Sequence, residues 1–192
     1  MKFMYCALCL SLLFIGCKDA NDNKTMKEDD SKMSMNDVFK KNSETVMANL
    51  KGWQNENVDY SMYAKDFVML ETVFGVEKDS VNLNEMMDSD KMMLKNYDFK
   101  MVTDPVLLPG VNSDTKKMDG SVRYYSEWEV TRVATDSMPA KTGNLQVYES
   151  FDFDENGKIM MQQMYGDFTG LMMYLNSKDD MMKKDDMEMK KK

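Results

Sequence analysis

The spacing of apolar residues changes from helical to strand-like partway along the chain. Positions 38–52 and 81–97 carry apolar residues at intervals of three and four, which predicts two amphipathic helices. Asp59 is a good N-cap and predicts the start of a short third helix that carries Tyr60, Tyr63 and Ala64. Alternation of apolar and polar residues then predicts strands over 66–75, 99–108, 120–135, 143–153 and 158–168. This order predicts an α+β domain in which about three helices pack against one face of a curved antiparallel sheet.

The two ends of the chain differ in composition from the region between them. Residues 3–15 are mostly apolar and follow the basic residue Lys2. This segment is shorter than the roughly 20 residues that span a bilayer, and the pattern is typical of a signal peptide. Residues 18–34 contain no aromatic and no apolar β-branched residue, which is typical of a flexible tether. We therefore predict a signal peptide at 1–16, a tether at 17–34, one domain at 35–177 and a charged low-complexity tail at 178–192.

The border between the signal peptide and the tether contains a single cysteine. Phe14, Ile15, Gly16 and Cys17 resemble the lipobox of bacterial lipoproteins, in which the cysteine becomes the lipidated first residue. Leu is usual where Phe14 stands and a small residue where Ile15 stands. The resemblance implies that Cys17 anchors the protein in a lipid membrane of the bacterial cell envelope, at the outer membrane on its periplasmic or surface face. The alternative is an uncleaved N-terminus with an incidental cysteine.

The composition excludes several kinds of chemistry. Residues 35–177 carry a net charge of about −9 and the chain has two arginines, so we predict no nucleic-acid partner. The chain has no histidine, which excludes Ser-His triads and histidine metal sites. Removal of the signal peptide would leave Cys17 as the single cysteine, which excludes internal disulfides and cysteine metal sites. We predict no metal and no cofactor.

One stretch, DFDENGK at residues 152–158, matches the opening of an EF-hand calcium loop. The loop needs a bidentate Glu at its twelfth position, where this chain has Gln163. The flanking residues have the alternation of strands, and Asn156-Gly157 between two strands favours a type I′ hairpin turn. We therefore interpret the stretch as a turn.

Several short motifs together resemble the nuclear transport factor 2-like superfamily, in particular its SnoaL-like branch. The motifs are spread over most of residues 35–177 and consist of Trp53, Asp59, Asp66, the turn at 156–159 and the closing residues 165–167. The resemblance implies a cone of curved sheet and helices that encloses a pocket. It does not imply one reaction, since members include isomerases, cyclases, dehydratases, small-ligand binders and dimerisation modules.

Alternation along the strands predicts which side chains point into such a pocket. Glu149 shares a face with Leu145, Val147 and Phe151. On the last strand we expect Gln163, Tyr165 and Asp167 to share a face with Ile159 and Met161. The residues predicted to line the pocket are Tyr63, Tyr124, Trp128 and Gln163. The alternatives for Glu149 are a purely structural hydrogen bond to Gln163 or to a tyrosine hydroxyl, or a bulge that turns the side chain to solvent.

Two functional hypotheses remain open from the sequence. The first is a lipid-anchored binding or accessory domain without catalysis. It would bind a small apolar ligand and form a homodimer through the sheet. The second is a small-molecule isomerase or lyase that uses carboxylate and tyrosine acid/base chemistry, as ketosteroid isomerase does. In this chain Glu149 or Asp167 would be the base, and Tyr165 or Tyr148 would be the hydrogen-bond donor. The pattern predicts that most of the 24 methionines occupy helix or strand core positions, where methionine replaces leucine and isoleucine as a flexible filler.

Overall fold

The computed structural model describes residues 33–177. In this part of the chain the helices are α1 Met35–Gln54, α2 Leu83–Asn96 and α3 Phe168–Asn176. The strands are β1 Tyr63–Leu70, β2 Ser80–Asn82, β3 Tyr97–Met101, β4 Val106–Val111, β5 Met118–Arg132, β6 Lys141–Phe153 and β7 Ile159–Tyr165. The predicted signal peptide, the predicted tail and almost all of the predicted tether lie outside the described residues. Within residues 33–177 no helix is both long and apolar enough to span a bilayer.

Local sequence signals account for the starts of the helices. Ser34 caps α1, and its Oγ accepts a hydrogen bond from the Asp37 backbone N at 3.2 Å. Asn82 and Glu85 form a reciprocal capping box at the start of α2. Asp59 caps a short 3-10 helix, Tyr60–Met62, as predicted, but Tyr63 and Ala64, predicted within this helix, begin β1. These caps satisfy backbone N–H groups that otherwise lack partners at a helix start.

The strands form one sheet in the order β2-β1-β7-β6-β5-β3, and β4 pairs with β5 on the same edge as β3. β1 and β7 are parallel, and the other pairs are antiparallel. The α+β architecture with three helices is confirmed, while the sheet is mixed and not wholly antiparallel. Most of the domain separates β1 from β7, so no hairpin turn forces them to run in opposite directions.

Several local predictions differ from the structure. Residues 99–108 form parts of two strands, because the chain turns before Pro105 and both β3 and β4 then pair with β5. In the 154–157 turn Gly157 has a φ of 76° but Asn156 has a negative φ, so the type I′ assignment is wrong. The Gly157 N bonds the Asp154 O at 3.0 Å, as in a type I turn followed by a left-handed glycine. Helix α3 was not predicted.

The core lies between the inner face of the sheet and the helices. Its fully buried side chains come from α1, the middle strands and α3, and include Val46, Phe67, Val122, Phe151, Ile159 and Leu175. The long strands β5 and β6 pair over eleven registered residue pairs and carry alternate side chains to this face. The same alternation carries the polar side chain of Glu149 inward near the middle of β6.

Gly120 at the start of β5 provides a test of the packing between α1 and the sheet. Its φ is +83°, and an added Cβ would lie 2.7 Å from Val38 Cγ1. Gly75 has nearly the same φ, +80°, but no atom lies within 4 Å of such a Cβ. We expect Gly75→Ala to cost about 1 kcal/mol of unfolding free energy and Gly120→Ala about 1–3 kcal/mol more. Urea denaturation measures both, and equal losses would contradict this packing.

Candidate functional site

A pocket of about 290 Å³ opens between the inner face of the sheet and the three helices. Its wall is mostly apolar and includes Trp53 of α1, Met86 of α2, Phe99 of β3, Leu145 of β6 and Leu171 of α3. Trp53 and Phe99 meet edge to face, with ring centroids 5.2 Å apart. The size and the apolar wall are those of a small-molecule site.

Polar side chains from three neighbouring strands meet at one end of this pocket. Glu149 of β6 is 3% exposed and is hydrogen-bonded to the Tyr124 hydroxyl and to the Gln162 Nε2, which donates to its Oε1. The Trp128 Nε1 in turn lies 3.4 Å from the Tyr124 hydroxyl oxygen. The four side chains form a hydrogen-bonded row across β5, β6 and β7, with Glu149 at its centre.

The buried position of Glu149 controls its charge. Burial raises the pKa of Glu149 to about 8, although the hydrogen bonds from Gln162 and Tyr124 oppose the increase. The negative charge of Asp90 raises this pKa further. At pH 7 the carboxyl of Glu149 is therefore mostly neutral and carries a proton.

A second buried carboxyl, Asp90 of α2, lines the same pocket and is 6% exposed. Burial raises the pKa of Asp90 to about 6, against the effect of the Tyr60 hydroxyl, which donates to its Oδ2 at 3.1 Å. At pH 7 Asp90 is therefore mostly ionised. Asp90 was missed from the sequence, although its spacing from Met86 and Met93 places it on the apolar face of α2.

Two buried tyrosines complete the polar end of the pocket. Tyr63 accepts a hydrogen bond from the Asn49 Nδ2 at 2.7 Å, and both side chains are buried. Burial, followed by the charge of Glu149, raises the pKa of Tyr63 and of Tyr124 above the usual range. Both phenols therefore stay protonated and are potential hydrogen-bond donors to a ligand.

The structure brings together some of the site residues predicted from the sequence and separates others. Glu149, Tyr63, Tyr124 and Trp128 line the pocket. Tyr148 lies on the outer face of the sheet, between Tyr125 and Tyr165, with ring centroids 4.9 and 5.9 Å away. The prediction of a homodimer through this sheet stays a prediction.

Asp167 also lies outside the pocket. It is exposed and caps α3, where its Oδ1 accepts a hydrogen bond from the Gly170 N at 2.9 Å. Its carboxylate therefore has a structural partner at the start of the helix. As a result, the alternative acid and base residues Asp167, Tyr165 and Tyr148 do not meet Glu149 in one site.

Gln163 is not a pocket residue, and Gln162 takes the place predicted for it. The pairing of β6 with β7 shifts between Phe153 opposite Ile159 and Asp152 opposite Met161, so Met160 is an extra residue. Such a β-bulge reverses the alternation of the residues that follow. Gln162 therefore faces inward opposite Phe151, whereas Gln163 pairs with Ser150 on the other face.

Helix α3 closes one side of the pocket with Phe168, Leu171 and Met172. Its C-terminal end is held by Arg132, a buried residue at the end of β5. The Arg132 Nε donates to the Leu175 O at 2.7 Å, and its Nη2 donates to the Pro139 O at 2.6 Å. A guanidinium at the carbonyl end of a helix is also favoured by the helix dipole.

The described residues contain no cluster of three or more Cys, His, Asp or Glu side chains suited to hold a metal ion. Asp90 and Glu149 are the buried carboxyls of the pocket, and the mostly neutral Glu149 is a poor ligand for a cation. The carboxyls and phenols of the pocket can form hydrogen bonds and transfer protons.

Comparisons with known proteins give matches in structure. No protein-family model matches the sequence, and no curated protein matches it. A candidate polyketide cyclase from Silicibacter sp. TM1040 is 16% identical, covers 73% of this chain and 98% of its own, and has a TM-score of 0.57. A candidate polyketide cyclase from Xanthomonas campestris pv. campestris is 15% identical, with 67% and 91% coverage and a TM-score of 0.52.

A fungal protein is also similar to this chain in structure. The pinacolase BvnE from Penicillium brevicompactum is 10% identical, covers 74% of this chain and 94% of its own, and has a TM-score of 0.53. At such identities the likeness shows the fold alone. Residues 33–177 thus have an α+β fold like that of these three solved structures.

Proposed function

We propose that the domain binds a small, neutral and mostly apolar molecule, with its polar group at the Glu149 end of the pocket. The observation that carries this proposal is a 290 Å³ apolar cavity with a buried, hydrogen-bonded carboxyl at one end. A small number of polar groups that converge within an apolar wall is typical of ligand sites. An anionic ligand is disfavoured, because Asp90 is mostly ionised beside the site.

Binding of the neutral fluorophore N-phenyl-1-naphthylamine tests this proposal. Both tryptophans of the chain, Trp53 and Trp128, line the pocket, so a bound fluorophore should quench their emission by energy transfer. We expect saturable binding with a dissociation constant on the order of micromolar.

Two adjacent methionines of α3 give a matched pair of variants. Met172 lines the pocket, whereas Met173 is 70% exposed. Met172→Glu should weaken binding of the fluorophore about tenfold or more, because it brings a charge to the apolar wall. Met173→Glu should leave binding unchanged, and equal effects of the two variants would contradict binding in this pocket.

A second candidate function is proton transfer on a bound ketone. It is favoured by the two buried carboxyls, whose pKa values near 6 and near 8 leave one ionised and the other protonated at pH 7. Asp90 would take a proton from the carbon next to the carbonyl, while protonated Glu149, which is hydrogen-bonded to Tyr124, would donate a hydrogen bond to the oxygen. Return of the proton to another carbon gives isomerisation, and loss of a leaving group gives elimination. Deuterium uptake by 2-tetralone in D₂O tests for this activity.

We further propose that the domain is held at the bacterial envelope by a lipid on Cys17. The support is the lipobox-like sequence, which lies outside the described residues. In bacteria fed radiolabelled palmitate, the protein should be labelled and Cys17→Ala should abolish the label. Cys9→Ala provides the matched control and should keep it, because Cys9 lies within the segment predicted to be removed. A Cys17→Ala protein that keeps its label would contradict the anchor.

A further inference from the structure

The loop between β1 and β2, residues 71–79, carries apolar side chains that the described part of the chain leaves uncovered. Phe74 is fully exposed, and Val73 and Val76 are 40% and 41% exposed. An added Cβ at Gly75 would have no atom within 4 Å, so the tip of the loop does not pack on its surroundings. Burial of a phenylalanine side chain is strongly favourable, and in this conformation Phe74 does not make that gain.

Both ends of this loop are attached at the rim of the pocket. At its start Glu71 lines the pocket, and the Thr72 Oγ1 donates to the backbone O of Met164, another lining residue, at 2.6 Å. At its end Lys78 forms an ion pair with Glu85 in the first turn of α2. The loop therefore bridges β7 and α2 at the edge of the pocket.

The pocket reaches solvent beside the part of α2 that the loop contacts. Ser89 lines the pocket although it is exposed, and it lies one helical turn after Glu85 on the same face of α2. Met93, one turn further along, lines the pocket and is half-buried. The opening at Ser89 and Met93, which we call the mouth of the pocket, is therefore next to the loop.

Phe74 is close enough to this mouth to cover it. It lies two residues from Thr72, so its Cα stays within about 7 Å of the Thr72 Cα in any conformation of the loop. The base of the loop is closed by a hydrogen bond from the Glu71 N to the Asp79 O at 2.9 Å. Rotation of the backbone between these ends can therefore bring the Phe74 ring over the mouth without breaking the pairing of β1 with β2.

We propose that the loop is a lid and that the Phe74 ring closes over the mouth of the pocket when an apolar ligand is bound. The proposal rests on the proposed binding function. Over an empty pocket the ring would lack contacts on its inner side, whereas a bound ligand supplies an apolar surface for it to cover. Ligand binding therefore favours the closed conformation, because the ligand has more contacts in it.

Proteolysis of the full chain by chymotrypsin, which cleaves after exposed aromatic residues, tests for closure. In the free protein we expect rapid cleavage between Phe74 and Gly75, detected by mass spectrometry as a new N-terminus at Gly75. Saturation with N-phenyl-1-naphthylamine should slow this cleavage about tenfold or more, because the closed lid hides Phe74 from the protease. A peptide substrate in the same tube controls for inhibition of the protease by the fluorophore.

Dissociation of the fluorophore, followed by stopped-flow dilution, tests the role of the ring. Phe74→Ser should accelerate dissociation about tenfold, because it removes the apolar contact of the closed state. Phe74→Leu keeps an apolar side chain and should stay within about threefold of the wild-type rate. Val111→Ser is the matched control and should leave the rate unchanged, since Val111 is 50% exposed on β4 and does not line the pocket.

The outcomes separate the lid from the binding function. Because Phe74 is fully exposed in the free protein, its replacement should not unfold the domain. If the fluorophore binds, unchanged cleavage at Phe74 or an unchanged dissociation rate in Phe74→Ser would overturn the lid while the binding function stands. If the fluorophore does not bind, the binding function and the lid are both overturned.

Discussion

Replacing Glu149 with Gln is expected to make the protein more stable at pH 9 by roughly 3–5 kcal/mol and to flatten its stability profile between pH 4.5 and 8. The pKa of Glu149 is near 8 in the folded chain and near 4.5 in an unfolded one. Between these values the unfolded state has lost the proton that the folded state keeps. Stability therefore falls as the pH rises, and Gln removes this loss because it stays neutral.

Urea denaturation at a series of pH values measures this effect. Below pH 4.5 the Glu149→Gln variant and the wild-type protein should have similar stability, since protonated Glu and Gln are nearly isosteric. Glu155→Gln makes the same change of charge at an exposed turn residue and serves as the control. A Glu149→Gln profile parallel to that of the wild-type protein would show that Glu149 does not bind a proton on folding.

If the pocket transfers protons, Asp90→Asn is expected to lower deuterium uptake by 2-tetralone about 100-fold or more, because it removes the base. In the wild-type protein the rate should rise with pH through about 6, as Asp90 ionises, and fall through about 8, as Glu149 loses its proton. Glu149→Gln should lose the fall above pH 8, since the amide remains a hydrogen-bond donor.

NMR monitoring of deuterium uptake by 2-tetralone measures these rates. Asp167→Asn is the matched control, because Asp167 caps α3 outside the pocket and should have little effect on the exchange. Loss of activity in Asp167→Asn with no effect of Asp90→Asn would contradict this assignment of the base. Equal deuterium uptake with and without the protein would leave ligand binding as the function of the pocket.

The sequence predicted the parts of the pocket that depend on regular alternation. Tyr124, Trp128 and Glu149 lie on β5 and β6, two long strands that pair without interruption in this region. Every second residue therefore faces inward, as the simple pattern requires. Helix α1 and the 3-10 helix after Asp59 were also predictable, because capping and apolar spacing are local properties.

The remaining part of the site depends on features that a single sequence does not reveal. One extra residue at Met160 moves Gln162 inward and Gln163 outward, and nothing in the run of methionines and glutamines marks this position. The spacing of Asp90 places it on the apolar face of α2, but the sequence does not show that this face covers the pocket. The parallel pairing of β1 with β7 joins segments that are far apart in the chain, beyond the reach of local patterns.

We conclude that one pocket holds two buried carboxyls, of which Asp90 is ionised and Glu149 is neutral at pH 7. Carbon-13 NMR titration of the labelled side-chain carboxyls, assigned with Asp90→Asn and Glu149→Gln, measures both protonation states. We expect midpoints near pH 6 for Asp90 and near pH 8 for Glu149. Midpoints at or below about pH 4.5 for both, as in exposed carboxyls, would contradict the claim.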